Sequence, residues 1–311
     1  MKKVKSKALT LLIILLFGAS TLFGATLVVD DDAICMFGGC IHSCQSTMGI
    51  SYKTIQSAIN AASNNDTIEI CKGTYNESVG VTQKKLTLKG VDGQSPSDVV
   101  IDANSSIGIT IQKKSITLEN FTVKSSNKHG IYGDGNAEGK HIFKHLIIEA
   151  GQRGIYLDKG QKQTFEDLNI TAENFGIYAS GNVNGNHTLK SISINSTGAG
   201  IYFENGFSSL SDSNITSTND RGVVEKPDRN TTISNVEINA KKKGILFNLG
   251  ANVDITVKNS SITSTQPNDG IYVSKAKKLT VDSVCIKKAK SGIYASRNVK
   301  EVDIPLLAFY T

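Results

Sequence analysis

The sequence predicts an all-β fold, a single-stranded parallel β-helix of about ten coils with a short N-terminal capping helix. Three observations carry that expectation. Glycines recur at positions 108, 130, 154, 176, 200, 222, 244, 270 and 292, at steps of 22, 24, 22, 24, 22, 22, 26 and 22 residues. The residue after each is Ile or Val from Gly130 onward, and the third is mostly apolar, as in Ile155 and Leu157 or Ile201 and Phe203. That is the two-residue period of a strand with one buried face. A second apolar pair lies upstream of each glycine (Leu146/Ile148, Leu168/Ile170, Ile192/Ile194), and a looser third register precedes it at Phe143, Phe165 and Leu189. Three short strands per turn follow, joined by polar turns rich in Asn, Ser and Thr. Equivalent residues of successive turns then stand about 4.8 Å apart, so like stacks on like. The glycines are expected at corners where a side chain would clash or φ must be positive.

From the N-terminus, Met1–Lys7 is basic and residues 8–17 are apolar except for Thr10, followed by small residues. This is the pattern of an export signal within residues 1–25, too short for a spanning helix. It places the protein outside the cytoplasm: secreted, periplasmic or at the cell surface. No stable membrane span is expected once the signal is removed. A Cys-rich segment, 26–50, comes next. Ile55, Ala58, Ile59 and Ala62 follow at i, i+3, i+4 and i+7, which makes an amphipathic helix over 54–62. Such a helix would cover the open first coil of a β-helix domain spanning 51–311, protecting its edge and its apolar layer. At the far end, 305–311 carries Pro305, Leu306, Leu307 and Phe309 and is expected to fold over the last coil as an apolar cap.

Charge narrows the partners. The chain has 34 basic and 28 acidic residues, and four of the basic ones lie in the leader, so the exported part stands at 30 against 28. The apparent basicity belongs mostly to the signal, which removes the case for nucleic-acid binding. Cys35, Cys40, Cys44 and Cys71 read as two disulfides stapling the N-terminal cap, with three pairings open. Zinc is the lesser reading, since the spacing is not a paired C-x-x-C, and no metal site is assigned. Cys285 lies between inward-facing Val284 and Ile286. Its thiol should point outward, free or linked to another chain.

Tyr52-Lys53-Thr54-Ile55-Gln56-Ser57-Ala58-Ile59, Asp66-Thr67-Ile68 and Lys72-Gly73-Thr74-Tyr75-Asn76-Glu77 resemble the N-terminal cap and first coil of right-handed parallel β-helix proteins of the pectin lyase superfamily. The Gly-Ile-Tyr repeats are similar to the generic repeat of that superfamily, found also in NosD-like periplasmic proteins. The resemblance covers about 50–304 and implies a right-handed helix. It says little about activity, because the scaffold hosts lyases, hydrolases, esterases and adhesins. The Asn-Thr-Asp, Asp-Asp, Gly-His-Gly and Arg-Ile-Lys strings of polygalacturonase-like hydrolases do not occur within the repeats. His141 and His145 flank Phe143 on a strand, where that spacing does not make a metal pair.

One constellation stands out. Six of nine tyrosines (132, 156, 178, 202, 272 and 294) occupy the second position after a repeat glycine. Alternation points these rings outward, and Tyr132, Tyr156, Tyr178 and Tyr202 fall on four consecutive turns. Asp134, Asp158 and Glu204 face the same way, with Ser180 between them. Rings beside carboxylates suit a sugar chain, while outward tyrosines can equally just shield the strand by stacking. The favoured function is therefore a non-catalytic exported β-helix that presents this ladder to a polysaccharide or surface glycan. The alternative is a diverged polysaccharide lyase or glycoside hydrolase using Asp134, Asp158 and Arg153. Calcium would enter only in that alternative, and two carboxylates are few for it.

Overall fold

The computed structural model describes residues 24–32, 34–36, 39–41, 51–248 and 252–310. Residues 1–23 of the expected export signal and Cys44 therefore lie outside the described residues, as do the side chains of Cys35 and Cys40. The fold is a parallel β-solenoid of about 11 turns, built from a 15-stranded and a 10-stranded sheet that run the length of the rod. Every pairing in these two sheets is parallel, and successive turns stack in register: Ile109, Ile131, Ile155, Ile177 and Ile201 are consecutive partners. All five are fully buried, as are Phe143, Phe165, Ile148 and Ile170 on the other sheet. The core is thus a set of columns, each made of like residues contributed once per turn.

The first two turns have three short strands, as expected: Thr67–Ile70, Gly73–Tyr75 and Val79–Val81, then Thr87–Gly90, Val99–Asp102 and Ile109–Ile111. From Thr117 onward the count differs, and the main sheets receive a long strand such as Ile142–Ala150 and a short one such as Ile155–Leu157 from each turn. The two upstream apolar registers belong to the single long strand. One residue in its middle adopts a left-handed backbone: Asn120, His145, Asp167, Ser191, Asp212, Asn235, Asn259 and Ser283 have φ between 49° and 61°. That residue bends the strand through a corner without ending it. The short polar types found there tolerate this region best. Ser191→Gly should therefore stabilise the fold by about 0.5–1 kcal/mol, and Ser191→Val should destabilise it by a similar amount. Denaturation midpoints ranking Val at or above Ser would refute this assignment.

Of the two reasons expected for the repeat glycines, clash is the one that holds, since none of them has positive φ. A Cβ on Gly154 would lie 2.3 Å from Ile170 Cγ2 and 2.6 Å from the Gly176 carbonyl oxygen, and the same two contacts recur in each following turn. That carbonyl accepts the Ile155 N–H at 3.0 Å, so the clash falls on a hydrogen-bonded backbone.

The capping helix, Ile55–Ala61, forms where expected. Thr54 caps it by accepting from Ser57 N, and Ile55, Ala58 and Ile59 are buried against the first coil. The Glu77 carboxylate accepts from Ile55 N at 2.7 Å and Gln56 N at 2.9 Å, closing two free amides at the helix start. At the other end, the described part of the expected cap, 305–310, does not fold across the last turn. Val299–Tyr310 runs as a strand paired parallel with Ala276–Lys287, with register shifts near Asp282. Pro305 is accommodated because the strand is an edge and the ladder is already interrupted. Cys285 is partly exposed and free, as its register implies, whereas Cys71 is fully buried and already engaged. No helix among the described residues is long and apolar enough to cross a membrane.

Candidate functional site

The short strands place Tyr132, Tyr156, Tyr178 and Tyr202 as consecutive register partners, each flanked by inward-facing residues. All four rings are half-buried on the outer face. Their centroids are 5.1, 5.3 and 5.2 Å apart along the column, so the rings form one continuous aromatic surface. Val224 and Leu246 continue the register, and Tyr272 and Tyr294 resume it with stacked rings 4.9 Å apart. The turns entering the column are short, for example 151–154, 173–176 and 197–200, whereas those leaving it run to eight residues, as at 134–141 and 180–187.

A second column, formed by the residue before each glycine, lies against the first. Arg153 extends across two turns: its guanidinium carbon is 4.5 Å from the Tyr156 ring centroid and 4.7 Å from that of Tyr178. Phe175 packs on Tyr178 and Tyr202, and His129 on Tyr132 and Tyr156. Arg153 has no ion-pair partner among the described residues, and its Nε is buried without a hydrogen bond. Cation–π contact with rings on both turns compensates part of that burial. Burial, then Arg153 and Lys128, pull His129 down to about 4, so it is neutral at physiological pH. From sequence Arg153 is a catalytic candidate, Lys128-His129-Gly130 is set aside as a poor match to Gly-His-Gly, and Phe175 is missed. The signal that groups them is that all three occupy one offset from the repeat glycine.

The carboxylates are engaged. Glu204 accepts from the Tyr178 hydroxyl and from Gly181 N, and burial with Glu204 raises the Tyr178 phenol well above its ordinary value. Asp134 accepts from Asn136 N at 2.7 Å, bracing its own turn. Asp158 receives the Tyr156 hydroxyl at 3.4 Å, and its backbone carbonyl accepts from Ser180 Oγ. His141 is a core residue: its Nδ1 accepts from Ile116 N and its Nε2 lies 2.8 Å from Ala137 O. Among the described residues, three acidic side chains converge only at Asp30, Asp31 and Asp32, beside the cap.

One buried acid escaped the sequence reading. Glu225 is the register partner of Phe203 and Phe247 and is fully buried. One oxygen accepts from Phe207 N and Thr231 Oγ1, and the other has no partner. Burial pushes the carboxyl up to about 8, against the lowering effect of those hydrogen bonds. A Glu at an otherwise apolar inward register was the available signal.

These features define a parallel β-helix protein. The sequence matches the family described as "Right handed beta helix region" over residues 86–235 and 199–304, and the chain belongs to that family. Among solved structures it is similar to a pectin methylesterase crystallised with a hexasaccharide (16% identity, 91% of this chain and 93% of that one, TM-score 0.49). It is also similar to a pectin methylesterase from Erwinia chrysanthemi (16% identity, 91% and 93%, TM-score 0.47) and to a rhamnogalacturonan lyase (12% identity, 85% and 74%, TM-score 0.49). No curated protein sequence matches the chain.

Proposed function

We propose that this is an exported, non-catalytic β-helix protein whose tyrosine ladder binds a polysaccharide or surface glycan. The observation that carries the reading is the four-turn aromatic column with the unpaired Arg153 guanidinium lying across it. Sugar rings offer C–H faces to such a surface, and the free cation favours a glycan bearing acidic groups. Two of the three nearby carboxylates are held by backbone amides of turns, Asp134 by Asn136 N and Glu204 by Gly181 N, while Asp158 accepts from the Tyr156 hydroxyl. The N-terminal cap, with Cys71 already engaged, suits an oxidising compartment and a disulfide-stapled end.

Tyr156→Ala combined with Tyr178→Ala should weaken binding to an acidic polysaccharide by about 2 kcal/mol, roughly thirtyfold, with the fold retained. Unchanged affinity in a glycan array would dismiss the ladder. Incubation with polyuronates, with and without calcium, should release no ultraviolet-absorbing unsaturated product. Its appearance, lost in Asp158→Asn or Arg153→Ala, would establish the lyase alternative instead.

A further inference from the structure

A separate groove of about 730 Å3 runs along the rod where the long strands turn over toward the short ones. That volume is typical of ligand sites. Its floor is a column of small, buried residues, Ser125, Ala150, Ala172 and Ser196, which are register partners on successive turns. One rim consists of the outward residues just before them (Lys124, Glu149, Thr171 and Asn195), and the other of turn residues that include Ser126, Glu173, Thr197 and Thr218. The groove exists because Ser and Ala stand lower than both flanking columns. Lys241, bonded to Asn219 Oδ1 at 3.1 Å, follows Ala240 on the turn beyond Thr218, where the groove lining stops.

We propose that this groove binds a neutral glycan chain lying along the rod axis. Rim positions recur at the coil spacing of about 4.8 Å, close to the advance per residue of a linear pyranose chain. Ser126, Thr171, Asn195, Thr197 and Thr218 among them carry a hydroxyl or amide. The lining holds Asp102, Glu149 and Glu173 against one cation, Lys124, which is already paired with Glu149 at 3.0 Å. An acidic polymer is repelled there, whereas sugar hydroxyls can donate to the unpaired Glu173. No aromatic or large apolar residue lines the groove, so a peptide finds no anchor in it. The groove's one cation is ion-paired, whereas Arg153 at the tyrosine ladder has no ion pair among the described residues, and the proposal does not depend on the ladder being a binding site.

Calorimetric titration of the full protein with hexasaccharides of a neutral glucan, xylan and mannan, and with a polygalacturonate hexasaccharide, tests it. At least one neutral chain should bind. Thr197→Trp, a change at an exposed rim position, should weaken that binding about tenfold or more, whereas Tyr156→Ala/Tyr178→Ala leaves it unchanged. The proposal is overturned if no neutral chain binds, if Thr197→Trp leaves neutral binding intact, or if the ladder variant abolishes it. Loss of polygalacturonate binding in Thr197→Trp would likewise count against it.

Discussion

Gly176→Ala should destabilise the rod by about 3 kcal/mol or more, although it adds a single methyl group. The new Cβ would stand 2.5 Å from Ile194 Cγ2 and 2.6 Å from the Gly200 carbonyl oxygen. Neither neighbour can withdraw. Ile194 belongs to a core column, and Gly200 O accepts the Ile177 N–H at 3.0 Å, so relief on one side breaks the ladder between turns. Because each turn contacts only its neighbours, the damage should be local. Hydrogen exchange should rise over 177–203 well before it rises at the capped end. Gly135→Ala is the control, since its nearest neighbour would be Asp158 Oδ2 at 3.8 Å, and its effect should stay within about 0.5 kcal/mol. Equal denaturation midpoints for Gly176→Ala and Gly135→Ala would remove close approach as the reason for the repeat glycines.

Glu225 should make the protein less stable as pH rises. Its carboxyl ionises at about 8 when folded, against an ordinary value of 4.5, so the folded chain holds a proton that the unfolded chain releases. The contribution is therefore fully present below about pH 4.5. It declines by about 1.4 kcal/mol per pH unit between the two values and is spent above about pH 8. The whole span is on the order of 5 kcal/mol. Glu225→Gln keeps an acceptor for Phe207 N and Thr231 Oγ1 but cannot ionise. It should raise the melting temperature at pH 8 and above and flatten the decline from pH 5 to pH 9. If both proteins lose stability in parallel over that range, the proton is not held at Glu225.

Much of this structure was legible in the residues. The outward placement of Tyr132, Tyr156, Tyr178 and Tyr202 followed from alternation, because a strand has only two faces. The helix at Ile55–Ala61 followed from apolar spacing. The left-handed corner residues were not legible. Asn120, Asp167, Asp212, Asn235 and Asn259 are Asn or Asp, but His145, Ser191 and Ser283 share the register. Asn and Asp are also common in the turns, so side-chain type alone does not single the corner out. Reading the third apolar register as a separate strand had the same origin, since a polar residue between two apolar runs looks like a turn. Glu225 was passed over because its neighbours on either turn, Phe203 and Phe247, made that column read as apolar.

Sequence alone determined the solenoid, the core columns and the face that carries the tyrosines. These depend on spacing within one repeat, and stacking copies them to every turn. Tertiary structure alone decided that Arg153 reaches the rings of Tyr156 and Tyr178, that Glu204 closes on Tyr178, and that a low Ser/Ala column opens a groove between taller neighbours. Each of these joins residues from different turns. The turns differ in length by two to four residues, so which side chains meet is decided only when the excess is looped out and the strands fall into register.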